Sequence, residues 1–262
     1  MESNILDKSV EYSVYLPPDY EESSRSYPVL YLLHGFSDDE TGWTQFGEIK
    51  NIIDSQVHQT AVTPMIVVMP DGGLSWYVNN HDGTLRYEDF FINEFIPKIE
   101  ETYRIRSQKQ FRAISGLSMG GYGSMIMALK HPDLFSAAAP LSAGISTQES
   151  IVSMSMDNWN NVYGLPFGKD REGEKRLTDH YLANSVLDII KNGDADTFKT
   201  VGYYIDCGDD DFLIRGNMAL HEVMLDQKIP HEFRIRDGVH NWTYWRTALP
   251  EVFQFVSEKF HR

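Results

Sequence analysis

The stretch Phe111-Arg112-Ala113-Ile114-Ser115-Gly116-Leu117-Ser118-Met119-Gly120-Gly121-Tyr122-Gly123 passes from an apolar segment of strand character, through a G-x-S-x-G sequence, into a segment with helical spacing. That order is the setting in which a serine sits on a tight, strained turn at the end of a strand with its hydroxyl exposed. Glycines on both sides let strand and helix backbones approach closely, and Gly121 and Gly123 extend the small-residue surface. Ser118 is therefore the candidate nucleophile. The reading predicts a strand over 111–115 and a helix over 121–130, closed by His131-Pro132 because proline disfavours helix in the residue before it.

Outward from this centre, apolar runs of strand length recur at 10–16, 29–33, 65–69, 137–141, 201–207 and 231–236, most followed by helical spacing. Strands alternating with crossover helices predict an α/β fold with a mostly parallel central sheet covered by helices on both faces. The runs 29–33 and 66–69 are nearly continuous in apolar residues, as expected for strands buried on both sides. Helices are predicted over 87–103, with Phe91, Phe95, Ile99 and Tyr103 on one stripe and a kink at Pro97, and over 218–227 and 250–260. No linker divides the 262 residues, so 1–262 reads as one domain. The segment 144–184 breaks the alternation. It carries Met154, Met156, Trp159, Tyr163, Leu165, Pro166 and Phe167, and reads either as a lid or binding loop or as a surface excursion with its own apolar cluster.

A serine hydroxyl needs a base to take its proton and an acid to orient that base. With the nucleophile on a strand-to-helix turn, the partners follow in the order acid, then histidine. After the predicted strand 201–207 comes Gly208-Asp209-Asp210-Asp211-Phe212, and after 231–236 comes Asp237-Gly238-Val239-His240-Asn241-Trp242. His240 is the candidate base. Three aspartates compete as the acid. Asp211 is preferred as the last of its turn, with Phe212 beside it to keep water out, while Asp209 and Asp210 are expected to cap the turn or the next helix. The negative charge that develops on a carbonyl oxygen calls for two backbone N–H donors. Met119, next to the nucleophile, is one candidate; Phe36, after the strand that ends in Leu33-His34-Gly35, is the other. His34 precedes the serine and is expected to brace its loop.

His34-Gly35, Gly116–Gly123, Gly208–Phe212 and Gly238–Trp242 together resemble the esterase D-like putative esterase family of α/β-hydrolases, and the likeness extends from Tyr12-Ser13-Val14-Tyr15-Leu16-Pro17-Pro18 to the last helix. The resemblance implies an α/β-hydrolase fold with 144–184 as a lid-like insertion. It also implies Ser118 as nucleophile, His240 as base, Asp211 as acid, and Phe36 and Met119 as oxyanion donors. The family includes feruloyl and acetyl esterases and S-formylglutathione hydrolases. The latter usually carry a cysteine- or threonine-rich stretch after the His-Gly turn and a Ser-Pro-Arg-Gly segment before the elbow. Here Phe36-Ser37-Asp38-Asp39-Glu40 and Pro70-Asp71-Gly72-Gly73-Leu74-Ser75-Trp76-Tyr77 stand instead, so the carbohydrate esterases, acting on feruloyl or acetyl groups of xylan, are the closer likeness. The alternatives are a thioesterase of the S-formylglutathione hydrolase type and a non-catalytic binding protein on the same fold. Trp76, Tyr77, Trp159, Tyr163 and Trp242 fall in segments expected above the carboxyl ends of the strands, and aromatic walls suit a phenolic acyl group or a sugar ring.

Composition narrows the partners. A net charge of −15 and an isoelectric point near 4.9 argue against broad binding to nucleic acid or anionic lipid, and favour a neutral or lightly charged substrate, a small ester or an esterified oligosaccharide. One cysteine, Cys207, excludes an internal disulfide and a multi-cysteine zinc site. His221-Glu222 lacks a second histidine at H-E-x-x-H spacing, so no metal is expected, nor does the chemistry need an organic cofactor. The first twenty residues hold no run long enough for a signal peptide or a membrane span. The chain is thus expected to be cytoplasmic by default, although a trimmed secreted or periplasmic protein would read the same way.

Overall fold

The computed structural model describes residues 1–260. A short antiparallel hairpin, β1 (Glu2–Ser3) with β2 (Lys8–Ser9), precedes a seven-stranded sheet. The sheet strands are β3 (Tyr12–Tyr15), β4 (Val29–Leu33), β5 (Ile66–Pro70), β6 (Arg112–Leu117), β7 (Ala137–Leu141), β8 (Gly202–Gly208) and β9 (Glu232–Arg236). They lie in the order β3-β5-β4-β6-β7-β8-β9, all parallel except β3, which runs antiparallel to β5 at one edge. The fold is the α/β-hydrolase one.

Alternation along each strand divides the core in two. On β4, Val29, Tyr31 and Leu33 pack with helices 87–102 and Met119–Lys130, while Leu30 and Leu32 point to the opposite face, under Ile49–His58 and Trp242–Lys259. Neighbouring β6 follows the same parity, Ile114 on the first face and Ala113 and Leu117 on the second. Burying each such aliphatic side chain is worth roughly 1.5–3 kcal/mol relative to exposing it. Both faces being covered explains why these strands lack the polar alternation of a half-exposed sheet.

Several boundaries differ from expectation for local reasons. The helix predicted over 87–103 ends at Thr102, and a π turn at Phe91–Phe95 interrupts it directly before Pro97, which stands in the first turn of the segment Ile96–Thr102. The last helix begins at Trp242 and carries Pro250 inside it, so the proline does not mark its start. The helix predicted over 218–227 starts earlier, at Ile214. Segment 144–184 is built of short helical turns knit to one another. Arg176, 1% exposed, donates to the carbonyls of Ile151, Met154 and Arg171 and lies against the Trp159 ring. None of the described helices is long and apolar enough to cross a membrane.

Candidate active site

Ser118 joins β6 to the helix Met119–Lys130 with φ of 55°, a conformation few non-glycine residues adopt. The turn is held from β7 and the loop after it, Ser118 N–H donating to Leu141 O at 2.9 Å and Ser118 O accepting Gly144 N–H at 2.8 Å, while Tyr122 N–H of its own helix also donates to Ser118 O (3.0 Å). Gly120 is required by the close crossing over β4, since a Cβ there would collide with the carbonyls of Leu33 and His34.

Asp211 closes the turn after β8, and His240 lies in the loop between β9 and the last helix, whose first turn is capped by the Asn241 side chain accepting from Tyr244 N–H. His240 Nδ1 is 2.8 Å from Asp211 Oδ2, and its Nε2 is 3.0 Å from Ser118 Oγ. With the proton on Nδ1 donated to Asp211, the Nε2 lone pair can accept the serine hydroxyl. Burial alone would push the Asp211 carboxyl up. The His240 bond, the Leu213 N–H on Oδ1 (2.8 Å) and the nearby imidazole charge outweigh it and hold the group below the ordinary aspartate range.

Asp209 and Asp210 stay at the surface. Asp209 Oδ1 instead accepts the N–H groups of Asp210 and Gly238, tying the acid turn to the histidine loop. Phe212 does not seal Asp211 as expected. It is 75% exposed, with its ring 4.6 Å from the imidazole, because the turn carries it over His240 while Asp211 points inward. The Cys207 thiol is buried, and burial pushes it well above the usual thiol range, where it stays protonated.

The loop carrying Phe36 is braced at three successive carbonyls. Trp43 Nε1 donates to Leu33 O (3.0 Å), Tyr77 hydroxyl to His34 O (2.9 Å), and His34 Nδ1 to Gly35 O (2.8 Å). The other His34 nitrogen accepts Gly72 N–H at 2.7 Å, so the ring is held as a neutral tautomer and has the bracing part expected of it. Gly35 lies against the elbow; a Cβ on it would be 3.6 Å from Ser118 Cβ. Met119 begins its helix, so its N–H belongs to the first turn, which has no acceptor within the helix.

Ser118 and His240 open into a cavity of about 360 Å³ walled by Phe36, Phe46, Leu117, Phe212, Trp242 and Trp245, with Ser37 and Asp38 at its polar side. Of the five aromatics expected to meet substrate, Trp242 is in this wall and the other four are not. Trp76, Tyr77, Trp159 and Tyr163 are between 0 and 6% exposed. Trp76 stacks on Tyr163 (4.7 Å) and donates to Val162 O, and Trp159 stacks on Tyr163 (5.6 Å) and donates to Gly168 O, so these rings fasten the 144–184 segment to the sheet. Phe46 and Trp245, also in the wall, carry no motif that marks them in the sequence. Trp245 stands one turn beyond Trp242, a signal legible only once the helix is known to start there. A larger cleft of about 670 Å³, among Lys109, Lys199 and Lys259, lies at the amino ends of β7 and β8, away from the serine.

A family model described as "Putative esterase" matches residues 3–256. A Mycobacterium tuberculosis protein named as an esterase is 30% identical over 247 residues, 87% of this chain and 52% of its own. The chain therefore spans about half the length of that relative. An acetyl esterase of Caldicellulosiruptor saccharolyticus is 25% identical over 268 residues, 98% of this chain and 96% of its own. The solved structure of a ferulic acid esterase superposes with a TM-score of 0.84 at 32% identity, covering 99% of this chain and 96% of that one.

Proposed function

The chain belongs to the putative esterase family, and from that premise we propose that it is a serine carboxylesterase, cleaving feruloyl or acetyl esters of a carbohydrate. Supporting this reading above all is the hydrogen-bonded line Ser118–His240–Asp211 opening into an aromatic-walled cavity. Ser118 Oγ attacks the ester carbonyl as His240 Nε2 takes its proton. The tetrahedral intermediate collapses with the alcohol leaving on that same proton. Water, deprotonated by His240, then attacks the acyl-enzyme, releasing the acid and restoring Ser118. Asp211 holds the imidazole tautomer and stabilises the imidazolium. The N–H groups of Met119 and Phe36 take the oxyanion, each worth about 3 kcal/mol in the transition state.

Replacing Ser118 by Ala is expected to abolish hydrolysis of p-nitrophenyl acetate while leaving the circular dichroism spectrum unchanged; retention of most activity would refute the assignment. Methyl ferulate, an acetylated xylooligosaccharide and S-formylglutathione assayed side by side test the substrate. Preference for the thioester would overturn the carbohydrate-ester reading.

A further inference from the structure

Among the described residues lining the catalytic cavity, Asp38 is the one carboxylate, and no lysine or arginine stands with it. Its Oδ1 accepts Asp39 N–H at 3.0 Å, and its carboxylate packs over Gly42, the first residue of the short helix Gly42–Gln45. The group is thus held in the wall by its own loop, without a cation to neutralise it. A cavity of about 360 Å³ is not much wider than the Debye length, about 8 Å at physiological ionic strength, so a charge on Asp38 is felt by an acyl group seated at Ser118. The walls of Phe36, Phe46, Leu117, Phe212, Trp242 and Trp245 exclude part of the water that would otherwise screen it. The net charge of −15 adds a field of the same sign.

Resting on the esterase reading above, we propose that Asp38 sets the charge selectivity of the site: it rejects substrates that carry a carboxylate on the acyl side and favours neutral or cationic ones. An acyl group that ends in a carboxylate falls on the rejected side. Neutral phenolic and acetyl esters fall on the accepted one.

Three methyl esters of one shape test this: methyl cinnamate, methyl 4-carboxycinnamate and methyl 4-(aminomethyl)cinnamate. The readout is the ratio of kcat/KM for each charged ester to that for the neutral one, taken within each enzyme. In the wild type the anionic ratio is expected to lie well below the cationic one and to rise with added salt. Asp38→Asn is expected to raise the anionic ratio about fivefold, or ~1 kcal/mol, to lower the cationic ratio, and to weaken the salt dependence. Gly42→Ala, whose new methyl group displaces the carboxylate, is expected to move both ratios the same way. Unchanged ratios in a working Asp38→Asn enzyme would overturn the role of Asp38 alone. A wild type that hydrolyses p-nitrophenyl acetate but none of the three would overturn the inference alone, and one that hydrolyses neither would overturn the esterase reading and the inference with it.

Discussion

Asp209, Asp210 and Asp211 are chemically identical neighbours separated by burial and partner. Asp211, 2% exposed, faces the imidazole, whereas Asp209 accepts backbone N–H groups at the surface. Asp211→Asn is expected to lower kcat by about 10³–10⁴-fold, since an amide favours the wrong imidazole tautomer, while Asp209→Asn keeps its acceptor oxygen and loses far less. Steady-state kinetics on one ester separates the two. Stability carries a second signature. A carboxyl held below its unfolded value, about 3.9, contributes stability that is present above that pH and is lost as pH falls through the lower folded value. The denaturation midpoints of wild type and Asp211→Asn should therefore converge below about pH 4. At this scale the sequence was most informative for Ser118 and His240, because a strand-turn-helix glycine pattern and a loop after the last strand are local features. Which aspartate turns inward is decided by the packing of β8 against β7 and could be read only as a preference.

Among the elements, the loop after β4 illustrates support from a distance. Tyr77, 43 residues away, donates its hydroxyl to His34 O from a fully buried position. Tyr77→Phe would leave that carbonyl buried without its donor, a loss of about 1–3 kcal/mol readable in the denaturant midpoint. If the brace also aims the Phe36 N–H, kcat should fall with little change in KM. The sequence placed Tyr77 above the strands as a substrate wall because an aromatic after a strand end looks alike whether it faces solvent or the underside of a neighbouring loop. The strands were legible because a doubly covered sheet writes itself as continuous apolar runs. Pro250 hid the first two turns of the last helix, where packing on the second core face overrides the proline.

Taken whole, the molecule brings together groups 122 residues apart, Ser118 and His240, by hanging both on the carboxyl ends of one sheet. The 144–184 segment is held to that end by buried rings, Trp76 among them, and is knit internally by Arg176. Arg176→Met would strand the carbonyls of Ile151, Met154 and Arg171, and is expected to cost about 2–4 kcal/mol. Limited proteolysis should then cut first within 144–184; an unchanged digestion pattern would contradict this. The length and aromatic content of that segment were visible in sequence. Its state as a packed layer was not, because Trp76 reaches it from 86 residues upstream. The turn at Ser118 has a consequence for any effort to make this protein hardier. Its φ of 55° stores on the order of 1–3 kcal/mol that glycine would release, so a screen rewarding heat resistance alone would select against the nucleophile. Only a screen that also demands turnover would retain it.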